Sequence, residues 1–372
     1  MSVLLLAGFV VGHWALLIWI VNVAHGSGVD GRWVEPLTLG LLVGLGGLAI
    51  PAAWWLWGRG WWDWPPWLRA YSVPCLAIGL VGLPISSAMI RLRRRPSGIA
   101  GVVRPLAIDV GTLRLPRGLL GLPGNGSLRP ELAEWRVEVP GLPTPMEGLS
   151  ILHLSDLHFS PRYDPSFFRQ ALAAATAAGT PDLVLFTGDL VDHDDALAWI
   201  APILGAVPSR LGKYAILGNH DRRHGPARVT AQLTAAGFEV VEGRWATLAV
   251  GDSTISIGGT SAPWGAHLDL DARPRADLSI LLSHTPDLFP AASRSGIDLV
   301  LSGHNHGGQI RLPLLGPLLT PSRYSRRYAE GFFRRGRTLL FVNRGLAAKH
   351  PIRYGCPPEV ARLVVAVGDR LT

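Results

Sequence analysis

Ile151-Leu152-His153-Leu154-Ser155-Asp156-Leu157-His158 is a short apolar run that ends in a polar turn carrying a carboxylate and an imidazole two residues apart. The same grammar recurs downstream. Leu183-Val184-Leu185-Phe186 runs into Gly188-Asp189, and Tyr214-Ala215-Ile216-Leu217 runs into Gly218-Asn219-His220-Asp221. Residues 278–282 lead into Ser283-His284, and Leu299-Val300-Leu301 leads into Ser302-Gly303-His304-Asn305-His306. Short apolar runs bounded by turn-forming residues read as buried strands. Polar segments at the carboxyl ends of such strands gather at one sheet edge, where loops converge into a site.

The intervening segments complete a strand–helix rhythm. Residues 165–178 and 226–236 read as helices, and 194–204 as a helix that Pro202 ends. Further strands are expected near 238–241, 247–250, 254–259, 338–342 and 360–367. Many strands and few helices favour a layered α/β sandwich over a single doubly wound sheet. Residues 96–149 are rich in Gly and Pro and read as a tether, with the alternating run Trp135-Arg136-Val137-Glu138-Val139 adding an edge strand.

The donors fit a metal site. Asp156 and Asp189 supply carboxylates, Asn219 an amide oxygen, and His158, His284, His304 and His306 imidazole nitrogens. Mixed oxygen and nitrogen donors suit manganese, iron, zinc or cobalt better than calcium, and no thiolate demands a soft ion. A carboxylate such as Asp189 can bridge two cations, which lie ~3.5–4 Å apart in two-metal sites. Any one of these residues alone is an ordinary cap, turn or surface group; the ordered set is not.

The first 90 residues are different in kind. Apolar runs at 3–23, 37–57 and 71–90 are each long enough to cross a bilayer core of ~30 Å. Ten of the 14 tryptophans lie in the first 67 residues, and those at 54–67 sit where an interfacial aromatic belt belongs. A cleaved leader is disfavoured, because no charged stretch precedes the first run and two more runs follow. Arg91, Arg93, Arg94 and Arg95 follow the third run, whereas Arg32 in the first loop is offset by Asp30 and Glu35. The positive-inside rule then faces the main domain to the cytoplasm and the N-terminus outside, with Arg59 and Arg69 in the outer loop as a mild conflict. The expected organisation is a multi-pass membrane region over 1–90, a basic juxtamembrane linker over 91–149, and a catalytic domain over 150–372. A formal charge of +8 suits the anionic lipids of the inner leaflet. Nucleic acid is disfavoured by the lack of finger spacing, of a basic tail and of aromatic–basic interleaving. Two cysteines, Cys75 and Cys356, make no disulfide framework.

Asp156-x-His158, Gly188-Asp189, Gly218-Asn219-His220-Asp221, His284 and Gly303-His304-Asn305-His306, together and in this order, resemble the calcineurin-like metallophosphoesterase signature. The extended run through Gly307-Gly308-Gln309 is similar to a membrane-associated bacterial branch that includes UDP-2,3-diacylglucosamine pyrophosphatase-like enzymes. The resemblance covers roughly residues 151–367. It implies a four-layered α/β/β/α sandwich and two divalent ions, manganese or zinc with iron as a further option. It implies one ion held by Asp156, His158, Asp189 and His306, and the other by Asp189, Asn219, His284 and His304. His220 would face the substrate, oriented by Asp221. The implied activity is hydrolysis of a phosphoric ester or pyrophosphate in a membrane-associated lipid or nucleotide, with a UDP-2,3-diacylglucosamine-type lipid as the concrete candidate and lipid A synthesis as its setting.

Rival readings are a phospholipid or cyclic-nucleotide phosphodiesterase, a nucleic-acid phosphodiesterase, and a non-catalytic membrane scaffold that would lack ligands. No specific protein partner is expected. His193, His224 and Arg323 are candidate substrate-binding residues, with a solvated basic loop as the plain alternative for Arg323 and its neighbours. Asp192, Asp194 and Asp195 read as solvated or helix-capping groups, His153 as a packed strand histidine, and His13 as an intramembrane residue with no visible partner.

Overall fold

The computed structural model describes residues 3–29, 31–93, 95–113 and 118–368; Asp30 and Arg94, used in the charge argument above, lie outside the described residues. The chain divides into two compact units. One comprises Met1–Arg94 with Arg311–Arg327, and the other Arg95–Ile310 with Tyr328–Thr372.

The first unit holds three apolar helices long enough to span a membrane: α1 (Val3–His25), α2 (Trp33–Leu56) and α3 (Pro66–Leu92). α3 starts before the apolar run because Pro66 sits in its first turn, where a missing N–H costs nothing. α1 and α3 cross closely. A side chain on Gly12 would collide with the Cys75 carbonyl, and one on Gly79 with the Gly8 backbone. Helices in lipid gain from such close approach, since contact replaces a hydrophobic driving force that lipid does not supply. His13 does have partners. Its Nδ1 lies 2.7 Å from the Tyr71 hydroxyl and its Nε2 3.1 Å from the Leu45 carbonyl, so it joins all three helices. Leu45 ends a π-wound stretch (Gly40–Leu45), in which ordinary helical pairing is interrupted. Trp54, Trp62 and Trp67 are exposed as a belt requires, but Trp64 is buried edge-on against Phe9.

In the second unit, β1 (Ile99–Pro105), β2 (Glu131–Pro140), β3 (Ser150–Leu154), β4 (Leu183–Phe186), β5 (Gly212–Ala215), β6 (Phe238–Val240) and β15 (Glu359–Gly368) form a seven-stranded sheet in the order β1-β2-β15-β3-β4-β5-β6. β7 (Trp245–Val250), β8 (Ser253–Thr260), β9 (Leu278–Ser283), β10 (Leu299–Ser302), β13 (Gly331–Arg335) and β14 (Thr338–Val342) form a second sheet in the order β13-β14-β10-β9-β8-β7. β3, β4 and β5 run parallel, as do β8, β9, β10 and β14.

Alternation along the strands builds the layers. Ile151, Leu183, Leu185 and Ile216 face Ile255, Ile257, Ile280, Leu282 and Leu301 in a core between the sheets. Leu152, Leu154, Val184 and Phe186 turn the other way, onto α4 (Pro165–Thr176), α5 (Ile200–Gly205) and α6 (Pro226–Ala235) through Phe167, Phe168, Ile203, Leu204, Val229 and Leu233. Leu281, Val300 and Leu340 cover the far face against Phe289 and Ala292 of α7 (Phe289–Arg294). The result is the expected α/β/β/α order of layers. Each fully buried Leu or Ile contributes roughly 1.5–3 kcal/mol relative to leaving it exposed.

Two sequence expectations need correction. β2 is not an edge strand: β1 pairs with its outer side and β15 with its inner side. The β1 sequence, Ile-Ala-Gly-Val-Val-Arg-Pro, is mostly exposed and carries Gly and Pro, so it lacks the alternation that marks a half-buried strand. Pro202 lies inside α5 rather than at its end. In the first turn of a helix proline has no intrahelical bond to lose.

Candidate metal centre

The candidate donors all leave the carboxyl ends of parallel strands. Asp156 and His158 follow β3, Asp189 follows β4, Asn219 and His220 follow β5, His284 follows β9, and His304 and His306 follow β10. Backbone hydrogen bonds lock the turns together: Asp156 N donates to Gly188 O (3.0 Å), His158 N to Asp189 O (3.1 Å) and Gly303 N to His284 O (3.1 Å). Among the described residues eight non-glycines have left-handed φ, and five of them are Asp156, His158, Asp189, His304 and His306. Such conformations cost energy and persist where the surroundings over-determine them. Two glycines make room for the carboxylates. A Cβ on Gly218 would strike Asp189, and one on Gly303 would strike Ser155 and Asp156.

The side chains converge in two buried groups with metal-ligand spacing, Asp156/His158/His306 and Asp189/His284/His304. In the first, His158 Nε2 lies 3.2 Å from His306 Nε2 and 3.7 Å from Asp189 Oδ2. In the second, His284 Nε2 lies 3.1 Å from His304 Nδ1, 3.0 Å from Asn219 Oδ1 and 3.3 Å from Asp189 Oδ1. Asp189 thus points one oxygen toward each group. A nitrogen–nitrogen separation near 3.2 Å is one edge of a coordination shell with metal–nitrogen distances of ~2.0–2.1 Å. The residues present therefore fit two divalent ions.

The electrostatics agree. Burial disfavours the charges of Asp156 and Asp189, yet the surrounding imidazoles hold both carboxyls below the ordinary range. Burial likewise opposes charge on His284, but Asp189 outweighs it and pushes the ring up to about 9. Buried carboxylates that draw protons onto their histidines will accept cations in place of those protons.

The partners behind the donors are equally defined. His284 Nδ1 donates to Thr187 O at 2.7 Å, which aims Nε2 into the site. The backbone N–H of His304 donates to both Asp156 oxygens, and that of His220 to Asp189 Oδ1 (2.9 Å).

Asp192 is the residue that sequence reasoning misplaced. It is not a solvated cap: its carboxylate accepts from His158 Nδ1 (2.9 Å) and from His220 Nδ1 (2.5 Å). Asp221, expected to orient His220, instead accepts from the backbone N–H groups of Leu190, Val191 and Gly218 and so ties the two turns together. The reason is reach: Asp221 starts a short 3-10 turn and its side chain points back under the loop, whereas Asp192 lies in the loop after β4, next to the bridge that joins Val191 to Phe159. The spacing Gly188-Asp189-Leu190-Val191-Asp192 carried the signal. A second missed element is the loop after β14. Asn343 Nδ2 donates to His153 O, Leu346 N to Ser155 O and Ala347 N to Asp156 O, and these bonds buttress the Asp156 turn. Asn343-Arg344-Gly345 after an apolar strand repeats the grammar of the other segments. The buried Arg353 donates to His306 O (3.2 Å), and the half-buried Trp264 ring packs 4.8 Å from that of His304.

The peripheral candidates lie apart from the two groups. His193 is 52% exposed and caps Asp195 N, and His224 pairs with Asp194 (2.7 Å). Arg323 belongs to the other compact unit. His153 is buried in β3, 3.0 Å from the Thr187 hydroxyl, as a packed strand histidine should be.

Comparison with known proteins gives the same picture. The family described as "Calcineurin-like phosphoesterase" matches residues 149–308. The chain is 33% identical over 240 residues to the uncharacterized metallophosphoesterase YkuE of Bacillus subtilis, covering 62% of this chain and 83% of that protein. It is 31% identical over 219 residues to phosphodiesterase YaeI of Escherichia coli, covering 57% and 80%. It is 26% identical over 282 residues to UDP-2,3-diacylglucosamine pyrophosphatase LpxG of Chlamydia trachomatis, covering 58% and 83%.

Proposed function

This chain belongs to the calcineurin-like phosphoesterase family, and on that premise we propose that it hydrolyses a phosphodiester or pyrophosphate bond in a membrane-associated substrate. The convergence of Asp156, His158 and His306 with Asp189, His284 and His304 in two buried groups carries this reading. Asp156, His158, Asp189 and His306 would hold one divalent ion, and Asp189, Asn219, His284 and His304 the other. The donor set suits manganese or zinc, with iron a further fit. When bound, such ions supply an activated water and offset the charge on the phosphoryl oxygens.

The chain's own groups do the rest. His220 would act as the acid: its Nδ1 is paired with Asp192, which leaves Nε2, 4.0 Å from Asp189 Oδ2, to meet the leaving oxygen. Protonated, it donates to the leaving oxygen while Asp192 stabilises the imidazolium. Asp192 also fixes His158 through Nδ1, which leaves Nε2 as the donor nitrogen.

The three apolar helices support a substrate presented at a bilayer. A UDP-2,3-diacylglucosamine-type lipid is the leading candidate, supported by the chlamydial relative; a phospholipid or a cyclic nucleotide is the alternative. Arg91 in the last turn of α3, with Arg93 and Arg95 just beyond it, supports a cytoplasmic catalytic domain. The test is turnover by manganese- or zinc-loaded protein on nucleotide sugar lipid, phospholipid, cyclic nucleotide and nuclease substrates. Cleavage of the sugar lipid at its pyrophosphate is the expected result; full metal occupancy with no turnover on any substrate sinks the assignment.

A further inference from the structure

Arg311–Arg327 leaves the hydrolase unit in sequence but belongs to the helical unit in space. It is a hairpin, β11 (Arg311–Leu312) paired with β12 (Gly316–Pro317), followed by a turn through Ser325. Its seventeen residues include five leucines and four arginines and no Asp or Glu.

The hairpin is fitted to the helices rather than resting on them. Asn22 of α1 is only 2% exposed. Its amide donates to Leu318 O (3.1 Å) and Ser325 Oγ (3.0 Å) and accepts from Thr320 N (2.9 Å). Ser87 of α3 donates to Leu315 O (3.1 Å), and Arg326 donates to the hydroxyls of Ser86 and Ser87 (both 3.1 Å). A polar side chain buried in an apolar helix is costly unless its hydrogen bonds are met, and here the hairpin meets them.

These clamps also fix depth. Asn22 lies three residues before the last residue of α1, and Ser87 five before the last of α3. At ~1.5 Å per residue the hairpin reaches roughly 5–8 Å below the helix ends. Interfacial elements bury their apolar face ~5–10 Å into the boundary between headgroups and acyl chains. Leu312, Leu314 (69% exposed) and Leu319 remain uncovered, and Arg323, Tyr324 and Arg327 are exposed on the same segment. Leucine with arginine and tyrosine is the composition of a segment that sits at an anionic lipid interface, where basic residues are drawn to the negative surface potential.

We propose that Arg311–Arg327 is an interfacial membrane-docking hairpin, clamped to α1 and α3 by Asn22, Ser87 and Arg326, whose leucines enter the acyl boundary of an anionic bilayer surface. The hydrolase unit is thereby tied to the bilayer at two points of its sequence, after α3 and again between Ile310 and Tyr328. This rests on the three helices spanning a membrane and not on the identity of the substrate.

The test uses the full chain in phosphatidylcholine–phosphatidylglycerol vesicles, with a nitroxide on Leu314→Cys and, as aqueous control, on Asp252→Cys. Cys75 and Cys356 are buried and stay unlabelled. The expected result is that residue 314 favours collision with oxygen over a water-soluble nickel complex by several-fold relative to residue 252, and that Asn22→Ala abolishes this preference. A preference at 314 equal to that at 252 overturns docking. Shielding of 314 from both reagents overturns it too, because protein would then cover the hairpin. A preference untouched by Asn22→Ala overturns the clamp. None of these readouts depends on turnover, so failure of the hydrolase assignment would be seen separately.

Discussion

At the scale of the residue, the proposed chemistry divides between groups that would hold ions and groups that hold those groups. Asp189 points one carboxylate oxygen toward each cluster, so Asp189→Ala is expected to lose both ions, measured as metal per protein after gel filtration. His220 is different: His220→Ala is expected to retain the metal but to lower turnover by ~10²–10⁴-fold, the usual range for a general acid. Loss of both ions in that variant would reject the assignment. Asp192→Asn is expected to lower turnover in the same direction, while Asp221→Asn, whose carboxylate accepts from the backbone N–H groups of Leu190, Val191 and Gly218, should act mainly on stability. If Asp221→Asn instead reproduces the His220→Ala kinetics at an unchanged melting temperature, Asp192 is not the orienting group. The donors were legible from sequence because each follows an apolar strand. The pairing of His220 was not, because Asp192 and Asp221 are both carboxylates close in sequence to site residues, and only the backbone path decides which one reaches the imidazole.

At the scale of the element, what matters is how the strands are held in register. The Asp182 carboxylate accepts from Ser150 N (2.8 Å), Ser150 Oγ (3.0 Å) and Arg210 Nε (2.8 Å), which ties the start of β3 to the loops around β4 and β5. Burial pushes this carboxyl up, but Arg210 and Ser150 outweigh it and hold it below its ordinary 3.8. A depressed folded value stabilises the fold above 3.8, and that contribution fades as pH falls through the lower, folded value. Asp182→Asn should therefore lower the melting temperature at neutral pH, and the gap to the unaltered protein should close in acid; a gap constant across that range would show that ionisation is irrelevant there. Between the sheets, Ile280→Ala should cost ~2–5 kcal/mol by chemical denaturation, because the rigid sheets cannot collapse onto the void. Most strands were readable from their apolar runs. β1 was not, since its place in the sheet comes from backbone pairing with β2 and its side chains face solvent.

At the scale of the whole molecule, three apolar helices long enough to span a membrane and a metallophosphoesterase fold share one chain. Three crossings with the arginines after α3 inside would put the N-terminus outside. Reporter fusions at the N-terminus and after Gly368 should accordingly report opposite sides, and the same side for both would mean that one helix does not cross. The sequence by itself determined the strand ends, the donor types, the family likeness and the three apolar spans, because each is written in local pattern and composition. Only the tertiary structure decided that Asp192 and not Asp221 holds His220, that β2 is interior, that Asn343 and Arg353 buttress the site, and that Arg311–Arg327 belongs with the helices. Those facts depend on which backbone groups and side chains meet across long stretches of chain. Periodicity along the chain carries no record of such meetings.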